Sequence, residues 1–154
     1  MTQGNLNDTK RHRVKPGDIF AIPLPTETFA VGIALHISKY FKNGMLAGYF
    51  DRCFLSIDAI NISELEPEFA FTPNYTSKRI VALGEWPIIG YSEALLARAT
   101  VPILVSVTTL FYKDEVVGQL DSIEETKDYE RLAGQGKEFV EIKLRRYFQL
   151  TGCI

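Results

Sequence analysis

The sequence predicts an α+β domain, β-rich, with a mainly antiparallel twisted sheet or SH3-like small barrel and a C-terminal helix. Three observations carry that prediction. Residues 18–24 and 29–37 are apolar runs joined at Pro25-Thr26-Glu27, the pattern of a β-hairpin. Ten Phe and seven Tyr, against one Trp and two Met, suit strands better than a bundle of long helices. Near the C-terminus, Val140, Leu144, Tyr147 and Phe148 make one helical stripe in a background of Lys, Glu, Leu and Arg.

In the first strand, Phe20, Ile22 and Leu24 share one face and Ile19, Ala21 and Pro23 the other, so both faces are apolar and both need cover. The return strand sorts its residues by size. Phe29, Val31, Ile33, Leu35 and Ile37 form a large face that builds a core; Ala30, Gly32, Ala34 and His36 form a small face that admits a close neighbour. Asn43-Gly44 is a turn signal, and a third strand is expected from Leu46 to Asp51 or a little beyond. Residues 58–78 are a transition. Arg79 to Leu83 reads as a short core strand, Pro87 confines its segment to a strand end or bend, and Gly90 marks a turn. Ser92 is placed to cap one or two helical turns that end before Pro102. Ile103 to Tyr112 reads as one strand, folded by Lys113-Asp114-Glu115 onto Val116 to Leu120. Val140, Ile142 and Leu144 also alternate like a strand, but the helical stripe extends further, so 137–149 is assigned to a helix.

A chain of 154 residues is most simply one domain. Residues 1–14 are polar and read as a flexible tail, with 15–154 as the domain. Lys10-Arg11-His12-Arg13 lacks interleaved aromatics, which favours a solvated lead-in over a nucleic-acid-binding arm. The net charge of −2, from 17 basic and 19 acidic residues, provides no overall basic field for nucleic acid. Cys53 and Cys153 form no paired metal or redox motif and read first as reduced thiols of a cytoplasmic protein, with one disulfide as the alternative. The opening residues have no apolar signal region, and no apolar run is long enough to span a bilayer.

No catalytic pattern emerges. There is no Gly-rich phosphate loop and no nucleophile-elbow turn, and two histidines are too few for a His-based metal site. Neither a cofactor nor a metal is expected. His36 reads as a structural histidine. A Cys53–His36 pair is conceivable across neighbouring strands, with Arg52 beside the thiol, but a lone cysteine reads first as a small buried hydrophobe. Trp86, beside Pro87, Ile88 and Ile89, reads as core. Two acidic stretches remain: Asp121, Glu124, Glu125, Asp128 and Glu130, and then Glu64, Glu66 and Glu68. Loop-borne carboxylates lack the pocket that acid–base work requires. Such runs read first as solvated surface, and alternatively as a surface that attracts a basic protein and speeds its association.

Lys15-Pro16-Gly17-Asp18-Ile19-Phe20-Ala21-Ile22-Pro23-Leu24, followed by Phe29-Ala30-Val31-Gly32, resembles the opening of the immunity protein 26 family. Tyr49-Phe50-Asp51 is similar to that family's third strand. Trp86-Pro87-Ile88-Ile89-Gly90 looks like its Trp-Pro segment, and Glu138-Phe139-Val140-Glu141, running on to Leu144 and Phe148, resembles its closing helix. After Gly90 the pattern departs, and residues 93–136 match it poorly. The resemblance implies an antidote: a protein that binds the toxin domain encoded beside it and needs no catalysis. If that toxin is a basic nuclease, residues 121–130 are the first candidate contact surface on charge, and 64–68 the second. The Pro-Gly-Asp-Ile opening is also similar to growth-arresting ribonuclease toxins, a reading in which Arg11, Arg13, Lys78 and Arg79 would cluster as an RNA groove.

Overall fold

The computed structural model describes residues 13–25 and 27–151. Its centre is the expected hairpin, β1 (Asp18–Pro23) and β2 (Phe29–Ile37), paired antiparallel in register from Ile19 opposite Ile33 to Pro23 opposite Phe29. Both faces of β1 are covered. Phe20 and Ile22 enter one core cluster with Tyr49, Trp86, Val140, Leu144 and Phe148, while Ile19 joins Val31, Ile33, Leu35, Leu46 and Phe50 in a second. The size sorting of β2 holds over most of its length. Val31, Ile33 and Leu35 fill the second cluster, and the small face receives the Phe20 ring, which lies 2.5 Å from where a Cβ on Gly32 would sit. The alternation fails at the strand's end. Register with β3 (Gly44–Phe54) slips between Ala34 and His36, so Ile37 packs against the first cluster instead of the second.

β3 begins at the predicted turn, where Asn43 takes a φ of 60°, and outruns the expected 46–51 at both ends. β4 (Asn74–Ser77) pairs with the start of β3, and β5 (Ile88–Tyr91) pairs with β1, giving a five-stranded antiparallel sheet in the order β4-β3-β2-β1-β5. Gly90 is not a turn. It lies inside β5 opposite Ile19, where a side chain would collide with Ile62.

The expected strand at 79–83 is a helix, α1 (Arg79–Ala82). The reason is geometric. Ile80 and Val81 are adjacent yet both enter the first cluster; a strand would point them to opposite faces, whereas one helical turn brings both inward. α2 (Glu93–Arg98) forms as predicted, with Ser92 Oγ accepting from the Leu95 N–H at 3.0 Å.

The single strand expected over 103–112 is two. β6 (Ile103–Ser106) and β7 (Thr109–Tyr112) are separated by a turn at Val107, with φ 57°, and Lys113, with φ 56°, turns the chain into β8 (Glu115–Gln119). A β-branched residue at positive φ is the opposite of a turn signal, so nothing in the composition announced the first break. With β9 (Glu130–Arg131) parallel to β6, these strands make a second sheet ordered β8-β7-β6-β9.

α3 (Lys137–Thr151) confirms the helical reading of the C-terminal stripe. Val140, Leu144 and Phe148 are buried against the first sheet, Glu141 Oε2 accepts from the Trp86 indole at 2.9 Å, and the Tyr147 hydroxyl donates to Asp51 at 2.7 Å. Trp86 is fully buried, stacked on Phe20 at 5.6 Å and edge-on to Tyr49 at 6.2 Å. Of the proposed tail, residues 1–12 lie outside the described residues, and Val14 is buried in the first cluster. The reduced-thiol reading does not hold for Cys53, which is disulfide-bonded. The sequence has one other cysteine, Cys153, outside the described residues.

Candidate partner-binding surface

The second sheet is joined to the first through Leu104 of β6, which enters the second core cluster, and through a set of polar side chains. Asp114, in the β7–β8 turn, accepts from Ser38 Oγ at 2.9 Å and the Lys39 N–H at 2.8 Å, and lies 2.9 Å from His36 Nε2. The slip in β2 that moves Ile37 also brings His36 to this aspartate. Burial acts to raise the Asp114 pKa, but the Lys39 N–H, His36 and Ser38 outweigh it and hold the carboxyl below its ordinary value. Tyr75 donates to the Lys113 carbonyl at 3.1 Å. Burial first, and the Asp114 charge second, push its hydroxyl up to about 12. On β4, Asn74 donates to the Arg131 carbonyl at 2.7 Å and accepts from the Ala133 N–H at 3.0 Å; Thr76 donates to the Gln135 carbonyl at 2.6 Å. Both ties join residues far apart in sequence, and no local signal marks them.

Held this way, the second sheet presents an open surface. β8 is an end strand, with Val116 64 % and Val117 51 % exposed. The chain then enters a 3₁₀ turn, Ile123–Asp128, where Ile123 is 62 % exposed. Asp121, Glu124, Glu125, Asp128 and Glu130 are all exposed around it, and Lys127 comes only to 3.9 Å from Glu124. A cavity of about 400 Å³, lined by Ile103, Lys127, Asp128, Tyr129 and Glu130 among others, opens beside this turn. The arrangement combines an unpaired strand edge, exposed apolar side chains and carboxylates with few countercharges. Chemically, such a surface can attract a cationic molecule and bury apolar area against it. The sequence places Val116 and Val117 in a hairpin strand without showing which face is covered, and Ile123 stands alone in an acidic stretch, so neither exposure was legible.

Glu64, Glu66 and Glu68 are also exposed, but differently placed. Glu64 ends a short 3₁₀ turn, Leu65 beside it is buried, and Glu66 accepts from Arg98 of α2 at 3.0 Å. The Cys53–His36 pair does not form. Cys53 faces Ala30 and His36 faces Leu46, six residues along β2 and so about 20 Å apart. Among the described residues, no group of three or more His, Cys, Asp or Glu is placed to hold a metal, and no helix is long and apolar enough to cross a membrane.

The model of one protein family, immunity protein 26, matches residues 15–113, well over half of the chain. The chain belongs to this family. Neither a curated protein nor a solved structure matches it. The immunity protein match covers the whole first sheet, α1, α2, β6 and β7, and so includes part of the region after Gly90 where the motif resemblance is weakest. It stops one residue before Asp114. The acidic turn and α3 therefore lie beyond it, and the contact role of 121–130 rests on charge and exposure alone.

Proposed function

We propose that this chain is a non-enzymatic immunity protein of a bacterial polymorphic-toxin system, a cytoplasmic single domain over residues 15–154 that neutralises a cognate toxin domain by binding it. The family membership supports this reading. The contact surface is the acidic turn with the β8 edge: Asp121, Glu124, Glu125, Asp128 and Glu130 steer a basic toxin, such as a nuclease, and Val116, Val117 and Ile123 supply the apolar centre that slows dissociation. Glu64 and Glu68 form a secondary rim, with Glu66 already engaged by Arg98.

The test is co-purification with the C-terminal domain encoded by the neighbouring reading frame, together with rescue of growth. In that complex the double variant Glu124→Lys, Glu125→Lys slows association roughly tenfold at low salt, with the difference fading as salt rises. An unchanged on-rate removes this face from consideration. A second reading, a ribonuclease toxin, is favoured by one observation: Arg13, Lys78 and Arg79 do share a cavity, while Arg11 lies outside the described residues. Growth arrest on expression of this chain alone would select it.

A further inference from the structure

Away from the acidic face, three segments distant in sequence converge on a cavity of about 860 Å³. Arg13 to Pro16 form one wall, Ile37, Lys42 and Asn43 a second, and Lys78, Arg79, Ala82 and Leu83 a third. Five of the lining residues are cationic and none is acidic. The walls are set by packing. Val14 is buried in the first cluster, Ile80 and Val81 anchor α1 in the same cluster, and the Lys78 N–H donates to the Asn43 carbonyl at 2.7 Å, joining the second wall to the third.

The cations themselves are mostly without countercharge. Lys15 is engaged, 2.9 Å from Asp18 and 4.8 Å above the Tyr91 ring. Among the described residues, Arg13, Lys42, Lys78 and Arg79 have no carboxylate within 4.0 Å. No acidic residue lines the cavity, so among the described residues these four cations face it without a countercharge. Such an arrangement becomes favourable when an anion enters.

We propose that this cavity is a binding site for a compact phosphate-bearing ligand of nucleotide size. The volume lies in the range of small-molecule sites, and arginine and lysine converging from three sides suit adjacent phosphate groups. Val14, Ile37, Ala82 and Leu83 give it an apolar floor for the remainder of the ligand. A nucleic-acid strand is the poorer occupant, because no aromatic ring lines the cavity to stack its bases.

The test is calorimetric titration of the full chain with ATP, with inorganic pyrophosphate and with a single-stranded RNA 20-mer, in near-physiological salt. The expected result is one saturable site for ATP, weaker for pyrophosphate, with the variant Lys78→Gln, Arg79→Gln binding roughly tenfold less tightly. Lys42→Gln, on the separate wall, weakens binding several-fold, and Arg98→Gln changes it less than about twofold. Equal affinity for pyrophosphate and ATP assigns the site to the phosphates alone and still supports it. No heat with either probe, binding indifferent to Lys42 and Lys78, or tighter binding to RNA overturns the proposal.

Discussion

β1 and β8 are strands of similar length that use their apolar residues in opposite ways. Five of the six residues of β1 are buried, covered by the second core cluster on one side and by Trp86 and α3 on the other. None of the five residues of β8 is buried, although two of them are valines. Packing therefore accounts for the side chains of β1 at the centre of the first sheet, and for almost none at the free edge of the second. The exposed valines of β8 are left without an internal role, and the proposed contact with a toxin domain would supply one. The same division appears in the charges. Asp18 and Glu141 are held by internal partners, while Glu125 and Asp128 have none among the described residues.

The sharpest test of this contrast is Trp86→Ala. It removes a fully buried indole, its stack on Phe20 and the hydrogen bond to Glu141, and leaves a cavity between β1, β3 and α3. The expected loss is about 3–5 kcal/mol in denaturant unfolding. A loss under about 1 kcal/mol would mean that the first sheet is no better packed than the second.

A smaller effect is expected at the tie between the sheets. Asp114→Asn keeps the shape but loses the charge that accepts from Ser38 and the Lys39 N–H, at a cost of about 1–3 kcal/mol near neutral pH. The pH dependence has a definite sign. A carboxyl held low in the folded state binds fewer protons there than in the unfolded chain, so its contribution is present above the ordinary carboxylate range. It is lost as pH falls through the lowered value. The difference between wild type and variant should shrink as pH falls below the ordinary carboxylate range. A difference independent of pH would assign the tie to shape alone.

These ties also mark where sequence reading stops. The hairpin was legible because Val31, Ile33 and Leu35 alternate with Ala30, Gly32 and Ala34, and α3 because Val140, Leu144 and Phe148 repeat at helical spacing. Such signals are local. α1 was misread because Ile80-Val81 is short enough to suit either period, and β6 and β7 were fused because Val107 hides their turn. The exposed acids of 121–130 were legible as a polar run, whereas the pairing of Ser38 with Asp114 spans 76 residues and leaves no trace in either neighbourhood. The cationic cavity is a partial case. Arg13, Lys78 and Arg79 were legible as possible neighbours, but Lys42 joins them only through the turn at Asn43.

A modest effect of the opposite sign is expected inside the first core. Tyr49 is fully buried, and its hydroxyl has no hydrogen-bond partner among the described residues; burial alone pushes its pKa up. Tyr49→Phe keeps the ring contacts with Phe71 and Trp86 and removes a desolvated polar group. Stability should rise by about 1 kcal/mol. A fall of that size would reveal a buried water or other partner that satisfies the hydroxyl.

The smallest stability effect, and the one that decides what the second sheet is for, belongs to Val116→Ser. The side chain is 64 % exposed on an end strand, so shortening it and adding a hydroxyl changes folding free energy by less than about 0.5 kcal/mol. If β8 is a docking edge, the same change removes apolar area from the centre of the contact. The complex with the toxin domain then dissociates roughly tenfold faster while its on-rate, set by the neighbouring carboxylates, stays unchanged. The two readouts separate the alternatives. Lost stability with unchanged dissociation makes Val116 an ordinary structural residue and breaks the contrast with β1. Retained stability with faster dissociation makes β8 a strand whose apolar residues are completed by another protein.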